Sequence, residues 1–336
     1  MAQALPFAPR QEAPPEQESA QRRGTAPPAE GRPSDSTRLT DRSQDLVFPV
    51  PSPGARPVDS RPPIGLLAHP EVTRRRVEAL SDYHDCNIYS ERDGFICSSR
   101  FSCRDSMAKL TGCSFYEAQG ATVAPYYDLV EGDRPLRVMV VPMETGADQI
   151  RFSVEKRTAE TLKAKRLSFQ QRNPHMKGVT FALQLALGGL ELGDTPESEI
   201  VRCRDGRQVH LFDAFAMVNS ALCSAVKTDT MASVARPQMR ENCMKHLLRT
   251  IEILQPTLLI SQGVGVGKVL GDHFAIDRWH ADGVAACHVG EVRFAWVGLC
   301  HPSVRDRRNW SSLGSSYLQQ EVRPRIELAR RLDVTS

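Results

Sequence analysis

The fold is decided by MRENCMKHLLRTIEILQPTLLISQGVGVGKVL, residues 239–270. Met244, Leu247, Leu248, Ile251 and Leu254 recur at steps of three and four, the apolar stripe of a helix lying on a core. Pro256 stops that helix. Thr257 to Ser261 follows as an apolar run too short for a helix, and the glycines after it turn the chain into a second helical segment, Val264 to Leu270. Helix, buried strand and helix in succession form the repeat of a parallel sheet covered by helices.

Three more runs read the same way: Arg137 to Val141 (RVMVV), Ala214 to Asn219 (AFAMVN) and Val292 to Leu299 (VRFAWVGL). Phe181 to Leu187 supplies a further helix, and Ser315 to Leu332 the last, with Pro324 as its kink or break. The expected fold class is α/β, a three-layer α/β/α domain with a four-stranded parallel sheet over residues 135–336. Residues 64–134 carry cysteines and scattered aromatics without periodicity, and read as an irregular extension. Residues 1–63 hold 13 of the 23 prolines, two aromatics, no cysteine and eight arginines against eight acidic residues, so they read as a disordered tail.

The whole chain of 336 residues, 40% hydrophobic and 25% charged, is unlike collagen, coiled-coil or membrane compositions. Its apolar stretches break before the roughly 18–20 residues of a membrane span, and Met1 to Arg10 has no continuous apolar segment. A cytoplasmic protein without a membrane partner is expected. The net charge of +3 belongs to the part after the tail and is too small to identify a nucleic-acid partner by itself. All nine cysteines lie beyond residue 85, and an odd number without a secretion signal points to free thiols or metal ligands rather than disulfides.

Ligands of open parallel sheets bind beyond the carboxyl ends of the strands. Those ends carry Pro142 to Gly146 (PMETG), Asn219-Ser220, Ser261 to Gly267 (SQGVGVG) and His301-Pro302-Ser303. The glycine-rich loop fails as a phosphate cradle, because Gln262 and Val269 stand where the first glycine and the hydroxyl belong. It reads as a tight strand-to-helix turn. His301 is followed at once by Arg305, Arg307 and Arg308, a basic turn suited to a DNA backbone or simply to solvent.

The ordered set of Asn219 after a strand, Cys223, Cys243 within ENCMKHLLRTIEILQPTLLISQG, and a later strand ending in His301-Pro302-Ser303 resembles the uracil-DNA glycosylase superfamily, most of all its iron-sulfur branch. The resemblance covers about residues 100 to 315. It implies a monomeric DNA repair glycosylase that flips uracil or a related damaged base out of single- or double-stranded DNA and hydrolyses its N-glycosidic bond. Asn219 would read the base, His301 would donate to its carbonyl oxygen, and Ser303 with Arg305, Arg307 and Arg308 would hold the DNA backbone. In a bacterial cell such an enzyme works at the nucleoid.

The resemblance also implies a [4Fe-4S] cluster, with zinc as runner-up. Cys223 and Cys243 match two ligands; the other two are expected at Cys103 and Cys113, with Cys97 in reserve and Cys86 the remaining choice. Without that frame these cysteines read as small buried hydrophobes. At the first strand the family has Gly-Glu-x-Pro-Gly followed by an acidic residue, where this chain has Pro142-Met143-Glu144-Thr145-Gly146-Ala147-Asp148. Gly146 is kept, Met143 replaces an acidic residue, and Glu144 or Asp148 would orient water. Asn173-Pro174-His175-Met176-Lys177-Gly178 is similar to the family's Pro-Phe-x-Gly, with His175 in the base-stacking place; its plain alternative is an exposed loop residue. Met143 leaves open a catalytically inactive DNA-binding protein of the same fold, and the altered turn leaves open an enzyme for a different base lesion.

Overall fold

The computed structural model describes residues 65–107, 110–117, 119–144, 153–188, 192–228 and 234–334. The proline-rich segment 1–63 lies outside the described residues, as do Gly146 and Asp148. The chain divides into Met1–Asp59 and Ser60–Ser336, and the fold below is that of the second unit.

Its centre is one mixed sheet of seven strands, numbered here β1 (Thr122–Val123), β2 (Val138–Val141), β3 (Phe215–Met217), β4 (Leu258–Gln262), β5 (Ala275–Ala281), β6 (Val284–Val289) and β7 (Val292–Leu299). The spatial order is β5-β6-β7-β4-β2-β3-β1. The four expected strands are all present and mutually parallel: β3 pairs with β2, β2 with β4 and β4 with β7, with Leu258 level with both Val138 and Ala295. The sheet is larger than the expected four strands. The hairpin β5–β6 extends it antiparallel beyond β7, and β1 adds antiparallel to β3.

The parallel strands are predominantly apolar because both their faces are covered. Val138, Val140, Phe215, Met217, Leu258 and Ile260 share one cluster with helices α4 (Pro174–Leu187) and α7 (Arg323–Arg331). Met139, Val141, Ala216, Leu259 and Trp296 share another with α1 (Pro70–Asn87), α3 (Val154–Leu162), α5 (Pro237–Leu254) and α6 (Val264–His273). Helices therefore lie on both sides of the sheet.

Local signals explain the boundaries. Asn173 caps α4 by accepting from the Met176 N–H at 2.8 Å, and Pro174 takes the first turn, where no N–H is needed. α5 ends on Gln255 in the left-handed region, φ 48°, just before Pro256. Gly263 opens α6 with φ 122°, so the glycine-rich loop is a strand-to-helix turn. Ahead of α7 the chain makes a π-helical turn, Leu318–Val322, where Pro324 withholds the N–H that a regular helix would use.

Residues 65–134 hold more regular structure than their weak periodicity predicts. They supply α1, the helix α2 (Arg100–Met107) and β1. α1 hides its order because its buried side chains are Thr73, Leu80 and His84, only one of them apolar.

Candidate functional site

The carboxyl ends of the parallel strands lie along one edge in the order His301 after β7, Gln262 closing β4, Met143-Glu144 after β2 and Asn219 after β3. The chain past β3 stays tied to β2: Val218 N–H donates to Val140, Ser220 N–H to Pro142, and Ala221 N–H to Met143. Asn219 is 5% exposed.

His301 belongs to a braced turn. Trp310, fully buried, donates its indole N–H to the Cys300 carbonyl at 2.8 Å, and its backbone N–H reaches the Pro302 carbonyl. Gly178 of α4 presses on the same turn so closely that a Cβ there would sit 2.4 Å from Pro302 Cγ. α4 thereby brings His175 over His301, the two rings stacked at 5.5 Å between centroids and 14° between planes. Nδ1 of His175 is shut from solvent and has no hydrogen-bond partner among the described residues. Burial holds His175 well below the ordinary imidazole range, with His301 and Arg157 adding to the effect.

The state of His301 follows from its neighbours. Ser303 N–H points at His301 Nδ1 from 3.3 Å and Ser303 Oγ lies 2.8 Å away. A backbone N–H can only donate, so Nδ1 is the acceptor and Nε2 carries the proton. Burial lowers the pKa of His301, which keeps the ring neutral. The side chain is thus a neutral donor at Nε2. Ser303, expected on a phosphate, is engaged with the imidazole.

Beyond it, Arg305, Arg307 and Arg308 are exposed. Arg308 is taken up by Asp306, Nε to Oδ2 at 3.0 Å, leaving Arg305 and Arg307 as the charges this turn offers outward.

On the opposite side of the edge, Arg240 of α5 approaches Met143, Nη1 to Sδ at 3.2 Å, and lies against Gly265. Burial pushes the Glu144 carboxyl up to about 7, against the opposing influence of Arg240 and the Ala235 backbone. This value exceeds that of an unfolded glutamate, about 4.3. The stability the group contributes is therefore complete below about pH 4 and is lost as pH rises through 7. Glu144→Gln, neutral throughout, should gain on the native protein between pH 5 and pH 8 in urea unfolding, by up to about 3 kcal/mol. A difference between the two proteins that does not change with pH would mean that the carboxyl is solvated.

The cysteines form a separate pocket. Cys97, Cys103, Cys223 and Cys243 are buried in one apolar cluster with Ile88, Phe95 and Met239. Cys113 packs at its margin, half-buried, with its thiol directed to the Thr111 carbonyl. Cys97 Sγ meets His246 Nε2 at 3.4 Å, whose other nitrogen meets the Tyr83 hydroxyl at 2.9 Å. Asn242 Nδ2 donates to Cys103 Sγ, and the Leu222 N–H to Cys243 Sγ. Burial pushes the Cys243 thiol up to about 12. Among the described residues no group of three or more His, Cys, Asp or Glu side chains is placed to hold a metal ion. Cys86 is exposed and outside the pocket.

Sequence reasoning did not single out Arg240 or assign a role to Gln262. A polar residue closing a buried strand was the available signal for the second.

No family model matches the chain, and no curated protein matches it either. Among the described residues no helix is long and apolar enough to cross a membrane.

Proposed function

We propose that this is a base-excising DNA glycosylase with a uracil-DNA glycosylase-like fold, acting on uracil or a related damaged base in single- or double-stranded DNA. The observation that carries it is the pairing of a neutral, Nε2-protonated His301 with the stacked His175 at the carboxyl edge of four parallel strands, with Asn219 on the same edge.

The target base cannot be reached inside a duplex and is extruded at a cost of a few kcal/mol, less at a mismatch. Arg305 and Arg307 hold the backbone while Asn219 reads the base edge. His175 offers the base a ring to stack on. As the N-glycosidic bond breaks, negative charge gathers on the base, and His301 Nε2–H donates to its carbonyl oxygen. The donor is fixed in place before the reaction, which is where such stabilisation is most effective. Water adds to the sugar C1′ and gives up a proton; Glu144, poised near neutrality, is the described carboxylate for that role.

The proposal includes a [4Fe-4S] cluster, with zinc as the alternative. The donor chemistry of the cysteine pocket fits such a group in kind, since Cys97, Cys103, Cys223 and Cys243 are gathered in apolar surroundings, although they do not already surround a common point. It would tie the segment around α2 to α5. No electron needs to move in the hydrolysis.

The test is release of free base from a labelled uracil-containing oligonucleotide, single- and double-stranded, by protein purified without oxygen. Uracil release is expected. Binding of DNA without release of any base from a panel of lesions favours the inactive DNA-binding reading, for which Met143, turned to Arg240 instead of an acidic group, is the supporting residue.

A further inference from the structure

Gln262 is fully buried, and among the described residues neither its amide oxygen nor its amide nitrogen has a hydrogen-bond partner. Native proteins rarely leave both halves of a buried amide unmatched, and an instance calls for a reason. Its position supplies one. Successive side chains of a strand alternate between faces. Leu258 and Ile260 enter the cluster that includes α4, while Leu259 enters the other cluster and Ser261 accepts from the Trp296 indole on that side. Gln262 therefore takes the α4 face. By the same alternation Phe215 and Met217 put Asn219 there as well.

Gln262 stands level with Leu299, two residues before His301, and the β2 end separates it from Asn219. Two strand spacings, about 10 Å, thus separate the backbone positions that carry the two amides. That is about the span of a single nucleobase ring with a hydrogen bond on each side. Gly178 keeps the N-terminal turn of α4, and with it His175, against the His301 turn on this same face.

We propose that Gln262 is a second reader of the extruded base, pairing through its donor and acceptor with a base edge that sets an N–H beside a carbonyl. This rests on the glycosylase reading. The substrate class it names is a base with a lactam edge, as in uracil or hypoxanthine, and a methyl group on that edge nitrogen would block it. A primary amide engages such an edge with two hydrogen bonds, and each good bidentate pair discriminates by about five- to 150-fold.

Gln262→Leu removes the amide at nearly constant volume. In the free protein the melting temperature should hold or rise, because an unmatched polar pair is lost. The kcat/KM for uracil release should fall tenfold or more, and free uracil, but not 3-methyluracil, should shift the Gln262 side-chain amide signal in a nitrogen-proton correlation spectrum of the native protein. A melting temperature lowered by several degrees would overturn the proposal by making Gln262 a structural group. So would an unchanged kcat/KM in a variant of an active enzyme, with the glycosylase reading left standing. Absence of base release by the native protein would instead remove that reading, and the proposal with it.

Discussion

Arg172→Met should lower the unfolding free energy by about 3–5 kcal/mol, the range for breaking a buried ion pair from one side. Arg172 and Glu199 have side chains 2% and 4% exposed and meet in a two-pronged contact, Nη1 to Oε1 at 2.6 Å and Nη2 to Oε2 at 2.7 Å. The guanidinium also donates to Thr180 Oγ1 and to the carbonyls of Ala164 and Leu167, and lies over the Phe212 ring. Methionine leaves Glu199 in the interior with His210 as its remaining described partner, Nε2 to Oε2 at 3.0 Å. A chain this size loses about 2–4 °C of melting temperature per kcal/mol, so a fall of roughly 10 °C is expected in calorimetry. The double variant Arg172→Met with Glu199→Leu should recover much of it, since replacing both charges by apolar groups removes the stranded carboxylate. A loss below about 1 kcal/mol in the single variant would show that the pair is hydrated. Arg172 directly precedes the Asn173 cap of α4, so the same substitution loosens the helix start that carries His175.

His301→Ala should slow base release by about 10²–10³-fold, the effect of deleting one donor aimed at developing negative charge. Binding to the same oligonucleotide should stay within about twofold, because the backbone contacts lie outside the ring. His301→Gln, which keeps an N–H donor, should fall between the two. Because burial lowers the pKa of His301 and the neutral ring is the donor, the native rate should not decline between pH 7 and pH 8 through loss of a proton from this ring. An alanine variant as fast as the native enzyme would take His301 out of the reaction. Loss of DNA binding in that variant would make it a binding residue instead.

The sequence was most legible where burial is two-sided. β2, β3, β4 and the middle of β7 announce themselves as apolar runs because both of their faces are covered. The outer hairpin was not read, although Asp282-Gly283 between β5 and β6 is a strong turn signal. β5 spells AIDRWHA and is largely exposed, so it owes its shape to β6 rather than to a pattern of its own. β1 is two residues long and exists because β3 offers it an edge. Within the site, the motif residues Asn219 and His301 come to one edge. The thiols sort by three-dimensional position: Cys97 enters the cluster and Cys113 stays at its margin, while α2, packed on α5, carries Cys103 into it. Gln262 was invisible as a functional group, since what distinguishes it is burial without a partner, a property of the folded state.

Gly178 against Pro302 packs together two stretches of chain more than a hundred residues apart. A side chain at position 178 would collide with the Pro302 ring, so glycine is what lets α4 lie this close to the His301 turn. On the proposed reading a base would meet two imidazoles already held in place, and their ordering would not weaken its binding.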